Sequence, residues 1–150
     1  MNNSNVDQEP QIAVFVDLDN IAIGVREAKI AKLDIVKILD RLVEKGKITV
    51  KRAYADWSNW THYKRPFHEC AIELIDIPER KMSGKNSADI KMVVDALELS
   101  YSKPHVDTFV LISGDSDFSP LVSQLRENNK KIIGLGVKHS SSNLLIDNCD

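Results

Sequence analysis

The chain has 150 residues, 43% hydrophobic and 28% charged, with a formal net charge of −2. That length and make-up suit one well-cored domain, and the near-neutral balance excludes a protein-wide basic field, so any nucleic-acid contact has to come from a local patch. Cys70 and Cys149, far apart and without CxxC spacing, give neither a disulfide framework nor a zinc-ligand set and read as thiols in a reducing cytoplasm.

The opening "MNNSNVDQEP" is polar and lacks the basic-then-apolar layout of a signal peptide, so residues 1–11 read as a flexible N-terminal segment. "IAVFVD" (12–17) is nearly continuous apolar, as a central parallel strand covered on both faces would be. "LDIVKILDRLVEKG" follows as a helix, with Ile35, Val36, Leu39, Leu42 and Val43 at helical spacing, Asp34 as N-cap and Gly46 as stop. "ITVKRAYADW" (48–57) is expected to be a second strand, and "AIELIDIP" (71–78) a third, nearer an edge because it is short and ends in Pro78. Then come a helix over "SADIKMVVDALELSYS" (87–102), a strand over "DTFVLISG" (107–114), a helix over "SPLVSQLRENNK" and a strand over "KIIGLGV" (131–137). Alternating strands and helices predict an α/β fold with right-handed crossovers and a parallel sheet between helical layers. No apolar run approaches membrane-spanning length, so the expectation is a cytoplasmic protein with no membrane partner.

Two strands end in acid: "AVFVDLDNIAIG" (13–24) with Asp17 and Asp19, and "FVLISGDSDFSP" (109–120) with Asp115 and Asp117. Ligands of open α/β sheets bind beyond the carboxyl ends of the strands, where the strand order reverses. If these two strands are neighbours there, Asp17, Asp115 and Asp117 converge. Carboxylates a few ångströms apart cannot all stay ionised cheaply without a shared proton or a cation, and Mg²⁺ or Mn²⁺ suits an all-oxygen site. The plainer alternative is that such residues are turn formers or helix N-caps, Ser116 or Asp117 capping the helix near Pro120.

Taken in order, "FVDLDN", "KRAYADW", "GKNSADIKMVVDALELSYS", "DTFVLISGDSDFSPLVSQLRENNKKIIGLGV" and "SSNLLIDNCD" resemble the NYN domain of the LabA-like branch, within the PIN-like nuclease superfamily. The resemblance covers residues 12–150. It implies a PIN-like three-layer α/β/α sandwich around a central parallel sheet of about five strands, ordered third, second, first, fourth, fifth. It implies a metal-dependent endoribonuclease with a four-Asp site: Asp17, Asp89, Asp115 and Asp117, holding Mg²⁺ or Mn²⁺ and releasing a 5′-phosphate and a 3′-hydroxyl. Asn20 and Ser113 match the polar residues that orient those ligands. By residue pattern alone Asp89 is a capping acid in a helix's first turn; the resemblance assigns it to the site. Asp95 lies six positions on, about 240° around the helix, and is not expected to bind metal. Asp19 is expected to support the site from behind or to cap the next segment.

Substrate contacts are expected from "ERKMSGKNSADIK" (79–91), which carries Arg80, Lys81, Lys85 and Lys91. "WSNWTHYKRPF", read as a loop, adds Trp57, Trp60, Tyr63, Lys64 and Arg65, a mixture of aromatics and cations suited to single-stranded RNA. The alternative is that Trp57 and Tyr54 pack in the core and the cations form a solvated face. Two further functions stay open. "DLDN" and "GDSDF" also look like acidic motifs of haloacid-dehalogenase-type phosphatases, with Asp17 as nucleophile and Asp19 as general acid, although Asn20 departs from the usual Thr or Val. A metal- and RNA-binding module without turnover is the other. The resemblance also leaves open a homodimer, truncation at "SSNLLIDNCD", and an appended RNA-binding domain in a longer parent chain.

Overall fold

A computed structural model of the chain describes residues 9–27, 32–78, 87–113, 118–137 and 144–148. Six strands form one sheet: β1 (Gln11–Asp17), β2 (Lys47–Ala55), β3 (Glu73–Asp76), β4 (Thr108–Ile112), β5 (Lys131–Val137) and β6 (Leu144–Asn148). Their order is β3-β2-β1-β4-β5-β6. The first five are parallel, and β6 runs antiparallel to β5 with Leu135 opposite Ile146. The expected three-layer α/β/α sandwich and strand order are therefore present, extended by one antiparallel edge strand. The helices are α1 (Leu18–Glu27), α2 (Ile35–Val43), α3 (Thr61–Glu69), α4 (Ser87–Ser102) and α5 (Ser119–Glu127).

Strand β1 is buried on both faces because its alternate side chains feed two different cores. Ile12, Val14 and Val16 pack with Leu18, Ile21 and Val25 of α1, Ile35, Ile38, Leu39 and Leu42 of α2, and Phe67 of α3. Ala13 and Phe15 pack with Met92, Ala96 and Leu99 of α4 and Leu121 and Leu125 of α5. On this second face Phe15 stacks on Phe109 at 6.0 Å and on Tyr54 at 6.4 Å between ring centroids, tying β1 to both of its neighbours.

A helix not expected from the sequence, α1, begins directly after Asp17. Two expectations need correction. "WSNWTHYKRPF" is a single 3₁₀ turn (Trp57–Asn59) followed by α3, in which Pro66 sits inside the helix. In α2, Asp34 caps as predicted, its side chain accepting from the Lys37 amide at 3.2 Å, but Val36 and Val43 face solvent while Ile38 takes the buried place. The helix ends at Val43, and the turn through Gly46 leads into β2.

Gly46 is required by close approach. The Lys47 amide donates to the Pro10 carbonyl at 2.8 Å, and a Cβ at position 46 would overlap that same carbonyl oxygen. Because the obstacle is backbone held by that hydrogen bond at the mouth of β1 and β2, it cannot swing away. Gly46→Ala is expected to destabilise the fold by about 1–3 kcal/mol, read as a lower urea midpoint with an unchanged m-value.

Candidate functional site

The strand order reverses between β1 and β4, which run side by side with Val16 opposite Ile112. The crevice beyond their carboxyl ends is the place where an open α/β sheet accommodates a ligand. Asp17 closes β1 at this point and is 0% exposed. Its Oδ2 accepts from the Asn20 side-chain amide at 2.5 Å and from the Ser113 hydroxyl at 3.3 Å. Asn20 reaches back because α1 starts immediately after β1, placing it one helical turn on from Asp17. Ser113 arrives from β4, its amide donating to the Leu135 carbonyl at 3.0 Å. Ser113, remote in the chain, thus meets Asp17 and its neighbour Asn20 through the β1–β4 pairing.

The other described acids at this edge build loops. Asp19 accepts from the Trp60 indole N–H at 2.7 Å on Oδ1 and from the Asp56 amide at 3.3 Å on Oδ2. Asp56 accepts from the Ser58 amide and hydroxyl at 3.2 and 2.6 Å, and Asp76 from the Trp57 amide at 3.0 Å. Asp19 therefore anchors the β2–α3 connection to the start of α1. Trp57, Trp60 and Tyr63 are buried, with the Trp57 indole donating to the Ile75 carbonyl at 3.1 Å and the Tyr63 hydroxyl accepting from the Leu33 amide at 3.1 Å. Of the two readings of these aromatics, packing in the core rather than stacking on bases is the one their burial supports. Lys64 and Arg65 are exposed on α3, Arg65 paired with Glu69 at 3.2 Å.

Asp115 and Asp117 lie outside the described residues, as do Arg80, Lys81 and Lys85. For Asp89 the backbone is placed: it stands in the first turn of α4, three positions before Met92 and seven before Ala96, both buried against the sheet. Ser113 leads directly into the segment that carries Asp115, two residues on.

The sequence profile of the NYN domain matches residues 11–150. The chain belongs to the NYN domain family. That family places it in the PIN-like nuclease superfamily, whose members are in general divalent-metal-dependent. An uncharacterized protein of Methanocaldococcus jannaschii is 30% identical over 137 residues, 91% of this chain and 52% of that protein, so the chain spans about half the length of its curated relative. A crystal structure of a Vibrio parahaemolyticus protein of unknown function superposes with a TM-score of 0.75 at 27% identity, over 91% of this chain and 85% of the other.

The donor chemistry around Asp17 in this NYN domain suits a hard divalent ion: a buried carboxylate, oriented by an amide and a hydroxyl, with neither thiol nor imidazole among its described partners. Among the described residues no group of three or more His, Cys, Asp or Glu could hold a metal by itself. Asp17 is thus the one expected metal-binding carboxylate whose side chain is described. No helix among the described residues is long and apolar enough to cross a membrane.

One part of the site's surroundings carried no strong sequence signal. Tyr54 is the β2 register partner of Asp17, and its hydroxyl donates to Asp95 Oδ2 at 2.7 Å. Lys91 Nζ donates to Asp95 Oδ1 at 3.2 Å, so the cation expected to contact RNA is partly committed to α4 itself. Asp95 is turned to the sheet, where its carboxylate accepts from both Tyr54 and Lys91. Burial, and then the Asp95 carboxylate, push the Tyr54 hydroxyl well above the ordinary tyrosine pKa. A raised folded-state value contributes stability that is fully present below pH of about 10 and is lost as pH climbs toward the folded-state value. Tyr54→Phe is expected to cost about 2 kcal/mol near neutrality. Because the variant lacks that titration, its deficit against the parent should narrow above pH of about 10, which paired urea titrations across the alkaline range would measure.

Proposed function

We propose that this NYN domain is a metal-dependent endoribonuclease of the LabA-like branch, acting on single-stranded or structured RNA in the cytoplasm with Mg²⁺ or Mn²⁺. The observation that carries the reading is Asp17: a fully buried carboxylate at the strand-order reversal, held on one oxygen by Asn20 and Ser113, in a chain matched by the NYN profile from residue 11 to 150. In this reading Asp17, Asp89, Asp115 and Asp117 hold the ion. When bound, the ion supplies charge neutralisation at the scissile phosphate and an activated water. Asn20 and Ser113 fix the rotation of the Asp17 carboxylate so that it need not reorganise when the substrate arrives. Arg80, Lys81, Lys85 and Lys91, with Lys64 and Arg65 further out on α3, would neutralise the RNA backbone. A longer parent chain, with its own RNA-binding domain, would set the target.

The geometry of Asp19 weighs against the phosphatase reading. A general acid must present its proton to the leaving group, yet both Asp19 oxygens accept hydrogen bonds from the framework, from Trp60 and Asp56. A nuclease needs Asp19 only as an anchor.

Asp17→Asn should abolish Mg²⁺- or Mn²⁺-dependent cleavage of a labelled RNA while the circular dichroism spectrum is retained. Asp19→Asn should lower the melting temperature and reduce cleavage less. Full activity of purified Asp17→Asn would remove the reading, and an aspartyl-phosphate on Asp17 after incubation with a phosphate ester would replace it with the phosphatase. An inert binding module would retain RNA affinity with no cleavage by the parent protein. Lys81→Ala with Lys85→Ala should weaken RNA binding and reduce the slope of log affinity against log salt by roughly 1–2, measured by fluorescence anisotropy across a salt series.

A further inference from the structure

Helix α1 carries a row of side chains away from the crevice. Asp19, Ile23 and Arg26 are spaced four and then three residues apart, so at about 100° per residue they share a stripe about 60° wide that runs about 10 Å along the helix from the end nearest Asp17. Leu18, Ile21, Ala22 and Val25 take the other side and are buried in the core. On the stripe Ile23 is 41% exposed, and Arg26 is exposed as well. Trp60 meets this row at two points. Its indole N–H donates to Asp19 Oδ1 at 2.7 Å, and the Arg26 guanidinium lies over its ring, 5.0 Å from the centroid. Helical side chains lean toward the N-terminus of their helix, so Arg26 reaches back from the last turn of α1 toward the crevice.

The way this charge is held points to a ligand. Arg52 and Arg65 are held by acids, Glu73 at 3.3 Å and Glu69 at 3.2 Å. Arg26 is held by a ring, and among the described residues no carboxylate pairs with it. A cation–π contact engages the face of the guanidinium and leaves the N–H donors at its edge unspent. The ring beneath is buried and fixed by Asp19, so the plane of the guanidinium is set before any ligand arrives. A side chain that only covered Trp60 would need no charge. A planar, forked cation instead matches the oxygens of a phosphodiester, and the exposed Ile23 next along the helix offers an apolar surface to a base or ribose, which only an unpaired strand can splay onto it. We propose that Arg26, seated on Trp60 beside Ile23, binds a backbone phosphate of single-stranded RNA a few nucleotides from the scissile one. The proposal rests on the nuclease reading and adds a direction to it: the strand leaves the crevice along α1 toward α3, whose exposed Lys64 and Arg65 follow Trp60 by one turn.

Binding of a labelled single-stranded oligoribonucleotide, measured by fluorescence anisotropy without divalent ions so that the strand stays intact, tests this across a potassium chloride series. Arg26→Gln should weaken binding about tenfold and lower the slope of log affinity against log salt by about 0.7, the share of one phosphate on a single strand. Arg26→Lys should recover the slope but not the full affinity, because lysine keeps the charge and lacks the plane that rests on Trp60 and forks onto a phosphate. In cleavage with Mn²⁺ the loss in Arg26→Gln should fall on KM rather than on kcat. If Arg26→Gln melts below the assay temperature, Arg26→Met, which keeps an apolar cover on Trp60, takes its place. A salt slope equal to that of the parent overturns the proposal even where the melting temperature falls, since Arg26 would then only cover Trp60. A parent that binds and cleaves RNA while these variants match it overturns the Arg26 assignment alone. A parent that neither binds nor cleaves RNA overturns it together with the nuclease reading.

Discussion

Burial of the Asp17 carboxylate at the end of the central strand is the constraint around which the chain is arranged. A carboxylate removed from water loses solvation worth several kcal/mol unless polar partners replace it. Here the partners come from the next helix, as Asn20, and from the neighbouring strand, as Ser113. Both depend on tight geometry: α1 must begin directly after β1, and β4 must lie beside β1 in the observed register. The apolar rows beneath, Phe15 with Tyr54 and Phe109, hold that register from one face, and Val16 with Ile112 hold it from the other. The fold thus stabilises an arrangement that would be costly in isolation.

Acids at the same edge divide into two kinds by what they hold. Asp19, Asp56 and Asp76 receive backbone amides or an indole and so fasten the connections after β1, β2 and β3 to one another. Asp17 receives side-chain groups at the strand-order reversal. Arg26 extends the fastening, its guanidinium lying 5.0 Å over the Trp60 ring whose indole is bound by Asp19. In the proposed nuclease, this rim beside the buried carboxylate would limit reorganisation during the reaction.

Helix α4 joins the remaining threads. Its inner face packs Met92, Ala96 and Leu99 on the sheet, and Asp95 couples it to β2 through the Tyr54 hydroxyl. That bond joins a helix turn to the register partner of Asp17, so the height of α4 over the sheet is fixed by a polar contact as well as by packing.

Much of this was legible in the sequence. The nearly continuous apolar run 12–17 could be stable only as a strand covered on both faces, and the alternation of strands with amphipathic helices left a parallel sheet as the economical arrangement. Asp17 was marked by breaking such a run with a charge. The local patterns failed where tertiary contacts outweigh them. Pro66 and the polar stretch around it signalled a loop, yet Tyr63 and Phe67 are drawn into the core and hold that stretch as a helix. Val36 and Ile38 are equally apolar in sequence, and only the direction from which the sheet approaches α2 decides which is buried. Three aromatics beside two cations fitted RNA stacking as well as core packing until the indole of Trp60 was found on Asp19. Periodicity is a one-dimensional property and determines which segments are strands or helices. Which carboxylate binds an indole, and which is left at the strand-order reversal among neutral polar partners, is decided by distances between residues remote in the chain, and these exist only once the sheet has formed.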